Sequence, residues 1–163
     1  MNAPLLSPLR FDIQSLVQAM AHSHASDALR CQLSPQQWEV LGGYIQPFSM
    51  QQGQTLIEQG AVDQTLYFVE SGTLSVHYED DKGRVRLAMV GAGSVIGEGA
   101  FFSRLPRSAS VQATNACKVW CLTALRFREL ANRHSPIALE LSMALGGVLA
   151  KRFYNRPKRV AVT

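Results

Sequence analysis

The chain has 163 residues, 47% of them hydrophobic and 17% charged, with a formal net charge of +4. That length holds one domain plus terminal helices and can bury a genuine core, and the balance excludes a disordered polypeptide. No apolar run approaches the ~20 residues of a membrane span, and the start MNAPLLSPLRFD lacks the basic opening and compact apolar stretch of a secretory signal.

Near the N-terminus, Ile13, Leu16, Val17 and Met20 fall at helical spacing and predict an amphipathic helix from Phe11 to about Ala21. The polar stretch His22–Asp27 then forms a joint. Ser34-Pro35-Gln36-Gln37 opens a second helix, with a Ser cap, Pro in the first turn and Gln at the capping-box position. Trp38, Leu41 and Ile45 supply its apolar stripe.

From about Phe48 to Leu122 the character changes. Glycines recur every several residues, and β-type runs lie between them: Thr55–Ile57, Leu66–Val69, Thr73–Tyr78, Val85–Val90, Ser108–Ala113 and Lys118–Leu122. Asp80-Asp81-Lys82-Gly83 reads as a hairpin turn. Many short strands with regular turns predict an antiparallel sandwich or barrel. Helices then return. Thr123 caps a short one reaching about Asn132, and Ser135-Pro136 opens a longer one. The longer helix carries Ile137, Leu141, Ala144, Leu145, Val148 and Leu149 on one face. Arg156-Pro157 is expected to end it, because the residue before proline resists helical conformation.

The cations Lys151, Arg152, Arg156, Lys158 and Arg159 read as a solvated helix end opposing the negative pole of the helix dipole. Cys31, Cys117 and Cys121 form neither an even framework nor a CxxC pair, which fits a reduced cytoplasm. An iron–sulfur sensor would need about four spaced cysteines. The histidines, His22, His24, His77 and His134, include no His-x-His preceding a glutamate in the β-zone, so no metal site is expected.

Residues 95–111 (VIGEGAFFSRLPRSASV) are odd for a core strand. A β-run ends at Gly97, an acid follows at once, and Gly99-Ala100 leave the backbone open to close approach. A helical turn starting near Gly99 would offer free N–H groups to an anion. Arg107, nine residues after Glu98, can present a fork of donors to a phosphate. A carboxylate beside it suits a ribose hydroxyl instead.

This segment resembles the phosphate-binding cassette of the cyclic-nucleotide-binding domain family, written roughly F-G-E-[apolar]-[AG]-[apolar]…P-R-x-A-x-[apolar]. It stands here as Ile96-Gly97-Glu98-Gly99-Ala100-Phe101…Pro106-Arg107-Ser108-Ala109-Ser110-Val111. Upstream, Gly53…Leu56-Ile57…Gly60…Leu66-Tyr67-Phe68-Val69…Gly72…Leu74-Ser75-Val76 is also similar. The likeness covers about Pro35 to Tyr154.

The resemblance implies an α+β fold: an antiparallel β-roll (a double-stranded β-helix or jelly-roll) with N-terminal helices and a C-terminal helical lid. It divides the chain into an N-terminal helical extension (1–33), the binding domain (34–155) and a basic tail (156–163). It implies that Glu98 bonds the ribose 2′-OH. Arg107 would pair with the cyclic phosphate, helped by Ser108 and by the backbone of Gly97, Gly99, Ala100 and Ala109. Leu87 and Ala88 would line the base, and Phe153 or Tyr154 would sit near the position of the lid. Gly99 departs from the pattern, where Leu, Ile or Met is usual. It weakens the cassette helix, since Gly costs about 1 kcal/mol relative to Ala in a helix.

The expected role is a non-enzymatic, cytoplasmic sensor of cyclic AMP that signals to a protein effector by moving its last helix. Cyclic GMP or a cyclic dinucleotide is the alternative ligand, because Ser108 does not separate the bases, and a cupin-like metalloenzyme is the alternative class. With the chain ending at Thr163, no helix-turn-helix and no specific DNA binding are expected. The apolar face of the last helix either self-pairs into a homodimer or covers the roll.

Overall fold

The computed structural model describes residues 11–160, apart from the side chains of Leu87 and of residues 156–160. The tail expected over 156–163 thus lies outside the described side chains. Helix α1 (Gln14–His22) starts where the Asp12 carboxylate accepts from the Gln14 N–H at 2.9 Å. Helix α2 (Pro35–Gly42) carries the full capping box. The Ser34 hydroxyl accepts from Gln37 N–H at 3.2 Å, and the Gln37 side chain accepts from Ser34 N–H at 2.9 Å.

Eight strands follow: β1 (Gln46–Met50), β2 (Thr55–Ile57), β3 (Leu66–Ser71), β4 (Leu74–Asp80), β5 (Gly83–Val90), β6 (Val95–Ile96), β7 (Ser110–Ala113) and β8 (Cys117–Leu122). The short helix α3 (Glu98–Ser103) interrupts them between β6 and β7. Every pairing is antiparallel, in two sheets ordered β1-β8-β3-β6 and β2-β7-β4-β5. The pairs are nested, β1 with β8, β2 with β7, β3 with β6 and β4 with β5, so one long hairpin is rolled upon itself. This is the antiparallel β-roll with flanking helices expected from the sequence.

Two strands are less regular than the rest. β1 contains Pro47, which reads as a breaker, yet β1 lies at a sheet edge, where a missing N–H is tolerated. β6 is two residues long and is the β-run expected to end at Gly97.

Helices α4 (Ala124–Arg133) and α5 (Ser135–Val160) complete the chain. Thr123 caps α4, its hydroxyl accepting from Arg126 N–H at 3.2 Å. α5 runs on through Pro157 instead of stopping before it; a proline withholds one N–H from the helix ladder, and the remaining bonds carry α5 to Val160. None of the described helices is long and apolar enough to cross a membrane.

The period of two along a strand divides each central strand between two cores. In β3, Tyr67 and Val69 face the inside of the roll with Leu74, Val111 and Val119, while Leu66 and Phe68 face the helices. The helix-side core also takes in Ile13 just before α1, Leu16 and Met20 of α1, and Leu141, Leu145 and Val148 of α5. Helix α1 and the residue before it are therefore packed into the same core as the last helix.

Leu141 is fully buried at the centre of this contact. Leu141→Ala is expected to destabilise the domain by about 2–5 kcal/mol, read from urea unfolding midpoints.

Candidate functional site

Arg107 is only 4% exposed although Leu105 and Pro106 before it and Ser108 after it are exposed. Its loop is stitched to the β2–β3 connection: Arg107 N–H donates to Ala61 O at 2.8 Å, and Gly60 N–H donates to Arg107 O at 2.7 Å. The side chain follows the same path. Nε donates to Asp63 Oδ2 at 3.1 Å, Nη1 to Gly97 O at 3.1 Å, and Nη2 to Thr65 O at 2.7 Å and to Asp63 Oδ1. A guanidinium has five N–H groups, and these contacts leave one, on Nη1, without an acceptor among the described residues. The hydrogen bonds from Arg107 hold the Asp63 carboxyl below its ordinary range.

The geometry requires glycine at position 97. Its φ is +88°, and a Cβ there would lie 2.5 Å from Arg107 Nη1 and 2.9 Å from Thr65 O. Gly97 also caps α3, so the first-turn N–H groups of Gly99 and Ala100 lack intrahelical acceptors. Gly99 does not prevent this helix from forming, and a Cβ on it would meet nothing within 4 Å.

Glu98 opens α3, with its side chain 13% exposed. Its Oε1 pairs with Arg152 Nη1 of α5 at 2.7 Å. Arg152 also donates from Nε to Asp27 Oδ2 at 2.8 Å and from Nη2 to Val95 O at 2.9 Å. Read from sequence as part of a solvated cationic helix end, Arg152 instead points inward, with its side chain 19% exposed.

A pocket of about 500 Å³ opens between the roll, α3 and α5. Ala88, Gly97, Glu98, Gly99, Ala100, Arg107, Ser108 and Ala109 all line it. The side chain of Leu87 lies outside those described. Phe153 and Tyr154 do not reach the pocket; they are 75% and 76% exposed. The inner face of α5 runs through Leu141, Leu145 and Val148 to Arg152. Residues one and two further on are turned away by about 100° and 200°. Among the described residues of α5, Arg152 and Asn155 enter, and the N-terminal segment adds Ser26 and Asp27.

Residues 47–134 match the Cyclic nucleotide-binding domain family. The chain belongs to this family. Over 90 residues it is 37% identical to the cAMP-activated global transcriptional regulator of Salmonella typhimurium, a match covering 54% of this chain and 43% of that one. Over 66 residues it is 39% identical to the cAMP-dependent protein kinase type II regulatory subunit of Drosophila melanogaster, covering 40% and 18%. The matched segments thus span less than half of either relative. A cyclic nucleotide-binding domain from Methylobacillus flagellatus superposes with a TM-score of 0.81 at 21% identity, over 91% of this chain and 82% of that one, and shares the fold.

Within this domain, the partners of the two signature charges escape sequence reading. Asp63 lies 44 residues before Arg107, in a stretch (Ala-Val-Asp-Gln-Thr) that reads as an ordinary loop. The only available hint was that a buried arginine needs an acid somewhere.

Because the folded pKa of Asp63 is lowered, its ion pair contributes stability above the unfolded value and loses it as pH falls through the folded one. Thermal denaturation at descending pH is expected to show this loss below the ordinary carboxylate value of 3.8. Asp63→Asn should lower stability at neutral pH and flatten that acid limb.

Proposed function

We propose that the chain is a regulatory sensor that binds a cyclic mononucleotide, with cyclic AMP the favoured ligand, and that its output leaves through α5. The observation that carries this reading is the convergence of Glu98, Arg107 and Ser108 on one pocket with an apolar wall of Ile57, Val76, Ala88 and Val111. Its volume of about 500 Å³ falls within the ~300–1,000 Å³ of small-molecule sites. Glu98 accepts from the ribose 2′-OH. The cyclic phosphate takes the remaining Nη1 hydrogen of Arg107, the Ser108 hydroxyl and the N–H groups of Gly99 and Ala100. The base lies along Ala88 and the strand that carries it, where Leu87 is its neighbour. Cyclic AMP is favoured because the two relatives above are named for it; cyclic GMP offers the same ribose and phosphate to the same groups.

The outer face of α5 supports a homodimer as the first partner. Leu139, Met143, Gly146, Ala150 and Phe153 are all exposed and follow one another at steps of four and three residues. That is the a/d spacing of a coiled-coil seam, and the small residues at its middle admit close helix approach. A second copy of the chain presents the same stripe.

Isothermal titration is expected to give saturable binding of cyclic AMP. Arg107→Lys, which keeps the charge but loses the fork, should weaken it at least about tenfold, since charge-assisted bonds are worth roughly 1.5–3 kcal/mol. Unchanged affinity in a variant that circular dichroism shows to be folded would remove the assignment. For the seam, Met143→Glu is expected to shift sedimentation from dimer to monomer.

A further inference from the structure

We infer that Arg152, itself held by Asp27, is a positioning residue for the Glu98 carboxylate, so that the N-terminal segment 23–33 forms part of the ligand site. The inference rests on the proposed reading of Glu98 as the acceptor of a ribose hydroxyl.

One guanidinium ties three separate parts of the chain together. Its Nη1 meets Glu98 at the start of α3, its Nε meets Asp27 of the N-terminal segment, and its Nη2 meets the carbonyl of Val95 in β6. Only a planar fork makes three such contacts at once; an ammonium is a point charge that cannot hold that geometry. Burial alone would lower the pKa of Arg152, and the two carboxylates outweigh it, so the group remains a cation.

The contact fixes one oxygen of Glu98 and leaves the other open. Oε1 is taken by Arg152, while Oε2 receives no donor from the described residues and Glu98 lines the pocket. A carboxylate pinned by one oxygen loses its rotational freedom before ligand arrives, which lowers the entropic cost of binding a hydroxyl on the other.

Asp27 does the same for Arg152 from the other side. Its own segment is anchored: Leu29 N–H donates to Gly93 O at 3.3 Å, and Arg30 donates to Met20 O at 2.9 Å and to Ser23 O at 2.6 Å. Gly93 in turn has no room for a side chain, since a Cβ would lie 2.6 Å from Ala19 O. The segment is thus seated against the roll at the pocket mouth, where Ser26 and Asp27 line the opening.

The test is a titration of the full chain with the ribonucleotide it binds, cyclic AMP or cyclic GMP, and with the 2′-deoxy form of the same ligand. Arg152→Lys and Asp27→Asn are each expected to weaken the ribonucleotide about fivefold, the worth of roughly one hydrogen bond, and to leave the deoxy ligand within about twofold. Hydrogen exchange at the Ala28 and Leu29 amides should slow on ligand binding in the wild type and not in Asp27→Asn. Parallel weakening of both ligands would overturn the inference, leaving Arg152 with a general structural role. Tighter ribonucleotide binding in the variants would overturn it as well, because Arg152 would then be a competitor for Glu98. Unchanged exchange on binding overturns the part assigned to segment 23–33. If the wild type binds neither ligand, the reading of the pocket falls first.

Discussion

A guanidinium withdrawn almost completely from water has to be compensated inside the fold, and the pocket is built around that compensation. An isolated buried charge costs several kcal/mol even after relaxation, and removing one partner of a buried pair costs about 3–5 kcal/mol. Arg107 meets this with one carboxylate and two carbonyls, drawn from the β2–β3 loop and from Gly97. Those acceptors are spread over segments far apart in the chain, so they coincide only when the roll is closed. The orientation of Arg107 toward the pocket is therefore a property of the whole fold rather than of its loop. Gly97 is the tightest point of the arrangement, because the space a side chain would need is already filled by the arginine.

A second cation repeats the pattern at the other end of α3. Arg107 fixes the end of the cassette to the roll, and Arg152 fixes its beginning to α5 and to the N-terminal segment. Arg107 combines one carboxylate with two backbone carbonyls, and Arg152 two carboxylates with one. Between the two clamps, α3 and its following turn have few buried side chains, Ala100 and Phe101 being the ones within the helix. Local openings occur most easily where apolar contacts are few. α5, against which the start of α3 is clamped, carries apolar residues on two faces: an inner stripe in the core and an outer one open to solvent.

What could be read from the sequence was whatever is local. Capping at Ser34 and Thr123, the Asp80–Gly83 turn and the strands β2, β3, β4, β5, β7 and β8 all follow from residues within a few positions of one another, and each is present. Glu98 and Arg107 were legible because their spacing is set by one short helix and one turn. Asp63 and Asp27 were not, since their partners lie 44 and 125 residues away and an isolated acid in a polar stretch looks like any surface charge. Arg152 was misplaced for a related reason. It follows Lys151 and precedes Arg156 in a stretch rich in cations, while its helix face is continuous with Leu145 and Val148. Placing Phe153 or Tyr154 at the lid failed to use that register; a shift of one residue on a helix turns a side chain by about 100°.

The nested strand pairing has a kinetic meaning. β4 and β5 meet across a tight turn, where Asp80 faces Gly83, while β1 and β8 close the roll with Gln46 facing Cys121. Each successive pair must close a longer loop before its contacts compensate the lost chain entropy. Folding of such a roll is expected to zip outward from the hairpin, and slowly, as for other topologies dominated by non-local pairs. The cassette sits in one arm of the rolled hairpin, between β6 and β7, as an excursion that pairs with no strand. Its residues can therefore change without altering the order in which the sheets assemble. The arm that carries them has to zip shut before either arginine meets its acid.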